Sequence, residues 1–335
     1  MEALDRRGRP LRDLRISVTD RCNLRCTYCM PREHFGPDHA FLPKEDILRF
    51  EHMADVVEAC VDLGLQKVRI TGGEPLLRRD LHVLVAMLRK VHPTGDLALT
   101  TNGVILERHA ERLLDAGLDR VTVSMDALNP SVYSAMGDVE HGPEATLAGI
   151  EKALDIGLRV KVNCVVRGGV NEGELLPLLQ HFGPRKVPVR FIEFMDVGAT
   201  NQWALDEVVT SKKVRRIISA HLGDVTPLEP TAFGEVARRW KTPQGWEFGT
   251  IDSISAPFCG DCTRARLAAD GSVHTCLFST EGKPLMPLIK SGASKQELQH
   301  AVRSIWEGRS DAYSEERSAQ KERPSGKVEM SFIGG

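Results

Sequence analysis

Three cysteines within eight residues, Cys22, Cys26 and Cys29, are the densest concentration of reactive groups in this chain. Their C-x3-C-x2-C spacing lets three thiolates converge on one small inorganic centre but cannot complete a four-cysteine cage. Iron–sulfur clusters are normally held by four thiolates, so a three-thiolate cluster leaves one iron with an open position. Open coordination is what separates catalytic from structural metal sites. A second group, Cys259, Cys262 and Cys276, is spaced C-x2-C-x13-C. The Asp270-Gly271 pair between two short runs predicts a hairpin, which folds Cys276 back beside Cys262. Zinc is the competing reading: a half site for the first triad, and for the second a ribbon with His274 as a poorly spaced fourth ligand. Cys60, in an amphipathic helix, and Cys164, in an apolar strand, read as core residues.

The elements that must position these groups alternate from residue 13 to about 195. Strand-like runs lie at 14–19, 67–71, 97–101, 120–126, 159–166 and 189–195. The clearest helical pattern covers 45–63, where Ile47, Phe50, Ala54, Val57 and Val61 recur at helical spacing and Gly64 ends the run. Further helices fit 80–91, 107–116, 143–156 and 172–182. A repeated strand–helix unit implies parallel strands with right-handed crossovers, as an open sheet or a barrel-like curve. After about residue 205 the character changes. A helix fits 212–220, a linker 227–230, and strands 238–240 and 246–251 around a Pro-Gln-Gly turn.

Strand parity is more informative. Leu14, Ile16 and Val18 stand against Arg15, Ser17 and Thr19; Val68 and Ile70 against Arg69 and Thr71; Val121 and Val123 against Thr122, Ser124 and Asp126. Val160, Val162 and Cys164 oppose Lys161 and Asn163, Thr100 and Asn102 share one parity, and Glu193 shares a parity with Met195. Successive residues face opposite sides of a sheet, so the apolar parity packs under helices and the polar one lines the interior. Barrel interiors are usually filled by branched aliphatic residues. One carrying Arg15, Arg69 and Lys161 reads as a binding cavity whose cations need an anion, a phosphate ester being the simplest. Two-residue spacing puts Arg264 and Arg266 on one face near the second triad. Thr71-Gly72-Gly73-Glu74-Pro75 ends the second strand, where paired glycines let backbone approach a ligand closely. It has neither the dinucleotide nor the P-loop spacing.

Composition bounds the function. The chain has 335 residues, 41% hydrophobic and 27% charged, with formal net charge −2. Nothing argues for bulk attraction to nucleic acid, and no apolar run reaches the roughly 18–20 residues that span a bilayer. The N-terminus has no apolar signal core, so a cytoplasmic protein is expected. There, clustered cysteines mean metal binding or catalysis more often than disulfides. No hydrolase triad or H-E-x-x-H signature stands out among the 11 His. The charged run 314–323 reads as a solvated segment. The closing Gly334-Gly335, without side chains, either threads into a narrow cavity or frays.

C-x3-C-x2-C with Tyr28 before its third cysteine, followed by Gly-Gly-Glu-Pro, resembles the radical S-adenosylmethionine (SAM) superfamily. With C-x2-C-x13-C, Arg264-Ala-Arg266 and the final Gly-Gly, the chain is similar to the GTP 3′,8-cyclase family. The resemblance covers nearly the whole chain. It implies an α/β fold, an incomplete (β/α)6 TIM-like barrel over 1–205 with a C-terminal α+β cluster-binding domain over 206–335. It implies two [4Fe–4S] clusters, one on Cys22, Cys26 and Cys29 that cleaves SAM, one on Cys259, Cys262 and Cys276 that meets guanine. Tyr28, Gly73, Ser124 and Met195 match the family's SAM positions; Arg15, Arg69, Thr100, Lys161, Arg264 and Arg266 match its GTP contacts. The implied reaction is a lyase-class conversion of GTP to (8S)-3′,8-cyclo-7,8-dihydro-GTP, the first step of molybdenum cofactor biosynthesis. A 5′-deoxyadenosyl radical would take hydrogen from C3′, and C3′ would then bond to C8. The implied partners are an electron donor such as flavodoxin or ferredoxin and the next enzyme, cyclic pyranopterin monophosphate synthase. A homodimer is compatible with the resemblance; membrane and nucleic acid are not expected partners. Peptide-modifying radical SAM enzymes with an auxiliary cluster are one rival, though more C-terminal cysteines would be expected. A non-catalytic metal- and nucleotide-binding sensor is the other.

Overall fold

Six parallel strands form the centre of the molecule, β1 (Asp13–Ser17), β2 (Lys67–Thr71), β3 (Asp96–Thr101), β4 (Arg120–Ser124), β5 (Arg159–Val166) and β6 (Val189–Glu193), each paired to the next. The structure is a computed structural model and describes residues 2–317 and 326–335. Each expected strand is present, with ends within two residues of those read from the pattern. Helices α1 (Phe50–Val61), α2 (Leu81–Val91), α3 (Ala110–Asp115), α4 (Pro130–Gly137), α5 (Glu144–Asp155) and α6 (Leu175–Phe182) lie between them. The apolar parity of the strands is buried in one core with these helices, including Leu14, Ile16, Val68, Ile70, Val121, Val123, Val160 and Val162. Cys60 and Cys164 are buried there too. This is an incomplete (β/α)6 barrel of the TIM-like type.

Helix α1 is shorter than the run 45–63. Lys44–Asp46 forms a separate single turn, and Ile47 after it is extended, so the helix restarts at Phe50. Helix α4 was not expected from periodicity. Asn129 starts it by accepting from the backbone N–H groups of Ser131 and Val132, with Pro130 at its first turn.

The later strands are β7 (Thr226–Leu228), β8 (Arg238–Lys241), β9 (Glu247–Ile251), β10 (Arg264–Leu267), β11 (Ser272–His274) and β12 (Lys283–Pro284). They extend the barrel sheet at both edges, giving the order β12-β11-β10-β1-β2-β3-β4-β5-β6-β9-β8-β7. β10 joins β1 and β9 joins β6, both parallel. The hairpin at Asp270-Gly271 is present, with Gly271 at φ +84° and Arg266 opposite His274. Residues 227–230, expected as a linker, begin instead in strand β7. Pro227 pairs with Trp240 on the outermost strand, where a residue lacking N–H breaks no further ladder bond.

Helix α7 (Ser211–Leu222) and two later helices, Met286–Lys290 and Lys295–Glu307, complete the frame. The expected solvated run 314–323 is only partly described. Tyr313–Glu316 is helical, and Arg317 turns inward to Asp196 at 2.9 Å. Residues 318–323 lie outside the described residues. Among the described residues no helix is long and apolar enough to cross a membrane.

Candidate active site

A cavity of about 290 Å³ runs through the partial barrel and is lined by both cysteine triads. Topology sets the triads at opposite ends. Cys22, Cys26 and Cys29 lie in the loop leaving the C-terminal end of β1, whereas Cys259 and Cys262 precede the N-terminal end of β10, which runs parallel to β1. Between them, Arg266, Arg15 and Arg69 stand level on β10, β1 and β2. Three adjacent cations facing one cavity repel each other, so the row is favourable only with an anion among them. Burial and then Arg266 hold the Arg15 guanidinium well below its usual basicity, and burial followed by Arg264 holds Arg266 down, to about 10. The Nε atoms of Arg15 and Arg69 and the Oδ1 of Asn163 are buried without partners. Such groups are costly unless a ligand satisfies them.

The first triad is buttressed by the Gly-Gly-Glu strap. Gly73 N–H donates to Thr19 O and Glu74 N–H to Arg21 O, both at 2.8 Å. The Glu74 carboxylate, pushed up to about 7 by burial, accepts from Leu76 N, Thr101 Oγ1 and Asn102 N. Asn102 then donates to Asn23 at 2.8 Å, inside the cysteine loop. Tyr28, buried beside the triad, donates to Asp126 at 2.7 Å, which orients its ring. A side chain on Gly73 would meet Arg21 O at 2.3 Å, so backbone would have to move. Gly73→Ala is therefore expected to destabilise the protein by about 1–3 kcal/mol. It should also lower iron retention at the first triad, read by iron assay and a thermal melt; full iron content at an unchanged melting temperature would contradict it.

The second triad has its own hydrogen-bond donors. The Sγ of Cys262 accepts from Arg264 at 3.3 Å and from Arg309 at 3.1 Å, and that of Cys276 accepts from Phe278 N at 3.5 Å. Burial pushes the Cys262 thiol up, but Arg264 and Arg309 outweigh it and draw the group down to about 5. Burial pushes Cys276 up to about 11. His274 is not available as a zinc ligand, because it is buried and its ring nitrogens face Ser272 Oγ at 3.1 Å and Ser279 Oγ at 2.9 Å. The final residues also enter the cavity. Gly334 O accepts from Arg266 Nε at 3.3 Å, and Gly335 lines the wall.

Of the residues expected at the site, Arg15, Arg69, Thr100, Arg264, Arg266, Tyr28, Gly73, Ser124 and Met195 line this cavity. Lys161 does not. It stands two residues before the lining residue Asn163 on the same parity of β5, level with Thr122, and its amine is held down to about 8 by burial and then by Arg190. Arg190 is the cavity cation that parity missed. Glu193 shares Met195's parity, but its carboxylate turns away to accept from Ser211 N, Ile254 N and Ser255 N. The parity facing the cavity on β6 is that of Arg190 and Ile192; Met195 reaches it only because the strand ends at Glu193.

Residues 16–182 match the Radical SAM superfamily and residues 187–315 match Molybdenum Cofactor Synthesis C. A GTP 3′,8-cyclase of Staphylococcus haemolyticus is 46% identical over 99% of this chain and 98% of its own length. That of Staphylococcus aureus is 45% identical with the same coverage. The chain belongs to the GTP 3′,8-cyclase family. A solved structure of Streptococcus suis SuiB bound to precursor peptide SuiA matches at TM-score 0.65 and 14% identity, covering 96% of this chain and 76% of that one, a likeness of fold.

Membership of the cyclase family implies SAM and [4Fe–4S] clusters, and the donor set fits them. All six clustered cysteines are free thiols, partly exposed at the cavity wall. Among the described residues no group of three His, Cys, Asp or Glu side chains is set to hold a single metal ion.

Proposed function

We propose that this chain is a radical SAM lyase that converts GTP to (8S)-3′,8-cyclo-7,8-dihydro-GTP, the first step of molybdenum cofactor biosynthesis. The observation that carries the reading is the row of Arg266, Arg15 and Arg69 between two open thiol triads. When bound, the first cluster and SAM supply one-electron cleavage and hydrogen-atom abstraction. Residues 1–205 hold that chemistry on Cys22, Cys26 and Cys29, with Tyr28, Gly73, Ser124 and Met195 around SAM. Residues 206–335 would hold the second cluster on Cys259, Cys262 and Cys276, which would seat the guanine. Arg15, Arg69, Thr100, Arg264 and Arg266 bind GTP directly, joined by Arg190 on the cavity wall, and Lys161 supports its phosphates. The protein's task is positioning and exclusion of water around the reacting groups, in the cavity that both triads line. The chain acts in the cytoplasm, takes electrons from a flavodoxin- or ferredoxin-like donor, and passes its product to cyclic pyranopterin monophosphate synthase.

Anaerobic incubation with GTP, SAM and dithionite, followed by chromatography and mass spectrometry, tests the reading. Methionine, 5′-deoxyadenosine and the cyclised dihydro-GTP are expected; unconsumed GTP would refute it.

Lys161 gives the reading a pH signature. A bound polyphosphate favours the protonated amine, whereas the free protein holds it near 8. Below that value the amine is already charged; above it, binding must take up a proton. GTP affinity should therefore fall by up to about tenfold per unit above pH 8, and Lys161→Ala should remove the slope. The variant should also weaken GTP binding about tenfold or more, and guanosine binding far less. Calorimetry at pH 7 and 9 checks this, and equal losses for both ligands would place Lys161 away from the phosphates.

A further inference from the structure

The N-terminal segment ahead of the barrel has no part in the chemistry described so far, yet it ends against the second triad. Leu4 pairs with Pro10 in a short hairpin, and the Asp5 carboxylate is enclosed beneath it with its side chain fully buried. Asp5 Oδ1 accepts from Arg7 N and Arg9 N at 2.9 Å. Its Oδ2 accepts from Arg9 Nε at 2.6 Å and from Arg309 Nη1 at 3.5 Å. Both guanidiniums are buried, and each reaches a ligand loop. Arg9 Nη1 donates to Cys259 O at 2.8 Å; Arg309 Nη1 donates to Cys262 O at 2.7 Å and its Nη2 to Cys262 Sγ at 3.1 Å. Trp306 fixes the layer from outside, donating to Arg9 O at 3.0 Å under the Arg309 guanidinium.

Asp5 is fully buried between the two buried arginines, and Arg309 has a second, partly exposed partner in Asp311, its Nε 3.4 Å from Oδ2. Other N–H groups of the two guanidiniums are aimed at two cysteine carbonyls and one sulfur. Hydrogen bonds and cations around cluster sulfurs set reduction potential and hold ligand loops in place. We propose that Asp5, Arg9 and Arg309 are positioning residues of the second cluster, with Asp5 locking the two arginines onto the Cys259 and Cys262 loop and Arg309 tuning the cluster through the Cys262 sulfur.

The proposal rests on the two-cluster reading, and the test separates the two. In a Cys22→Ser/Cys26→Ser/Cys29→Ser background, anaerobic reconstitution should leave about four irons on the second triad alone. A parent without that cluster overturns the two-cluster reading itself. With the cluster present, a redox titration followed by electron paramagnetic resonance is compared across Asp5→Asn and Arg309→Gln. Asn keeps the shape of Asp5 while removing the counter-charge, so the potential should rise. Gln removes the cation from the sulfur, so the potential should fall. Opposite shifts are expected; unmoved potentials, or shifts of the same sign, overturn the proposal. Should Arg309→Gln fail to fold, Arg309→Lys carries the measurement, since it keeps the charge but shortens the reach to Sγ. A lowered potential in that variant supports the proposal, and an unchanged one overturns it.

Discussion

Cys276→Ala is expected to lose the second cluster and with it cyclisation, while SAM is still cleaved. Iron should drop from about eight to about four per chain. Formation of cyclised product should fall by about a thousandfold or more, and 5′-deoxyadenosine should continue to appear without it. The separation follows from the architecture. Cys276 comes just after β11, beside the N-terminal end of β10, whereas the first triad sits beyond the other end of β1 and is braced by Glu74 and Asn102. Removing one ligand at the far end leaves that brace untouched. What is lost is the fixed seat of the base, and misplacement of a reacting group by about 1 Å can cost a hundredfold by itself. Full turnover of GTP by this variant would overturn the role given to the second triad. Loss of both clusters would show that the two ends are not independent.

Much of this architecture was legible because its signals are local. The six strands carry a period of two, and their apolar parity is the one buried under the helices. Arg15 and Arg69 could be aimed at a cavity before any strand pairing was known. Lys161, read by the same rule, shares its parity with the lining residue Asn163 but falls two residues short of it, because a parity fixes a face of the sheet but not the position along the strand. The error on β6 has a different cause. The strand stops at Glu193, so carrying its alternation forward to Met195 inverted the face and hid Arg190. Features that depend on distant pairing were not legible at all. Nothing near Arg264 announces that β10 will lie parallel beside β1, yet that pairing alone brings Arg266 level with Arg15. The N-terminal hairpin shows the same limit, because Asp5 has a local partner in Arg9 but meets Arg309 only after the chain has returned across 304 positions. Pro227 misled in the other direction, since a proline excludes a central strand but not an outermost one.

Gly334→Ala is expected to reduce cyclisation by about a hundredfold or more while leaving both clusters in place. The tail is threaded from a fixed anchor. Lys327 Nζ, buried, donates to Asp196 Oδ2 at 2.8 Å and to Tyr313 Oη at 2.7 Å, and Val328 N–H donates to Ser279 O. From there a single turn, Met330–Ile333, delivers Gly334, at φ +79°, to Arg266 and Gly335 to the cavity wall. An added Cβ would meet Thr71 Cγ2 at 2.2 Å, at the end of β2 and next to the Gly72-Gly73 strap. Backbone strain and this clash act together, so the tail must leave its seat and Arg266 loses the Gly334 carbonyl it now bonds. Gly169→Ala separates the two effects, because Gly169 has φ +75° with nothing near its added Cβ. That control should be destabilised by about 1 kcal/mol or more and keep its turnover. If Gly334→Ala behaves like Gly169→Ala, a displaced tail does not matter to the reaction. If only Gly334→Ala loses product at full iron content, the tail is a working part of the cavity, held in its own chain's site by the Lys327 anchor.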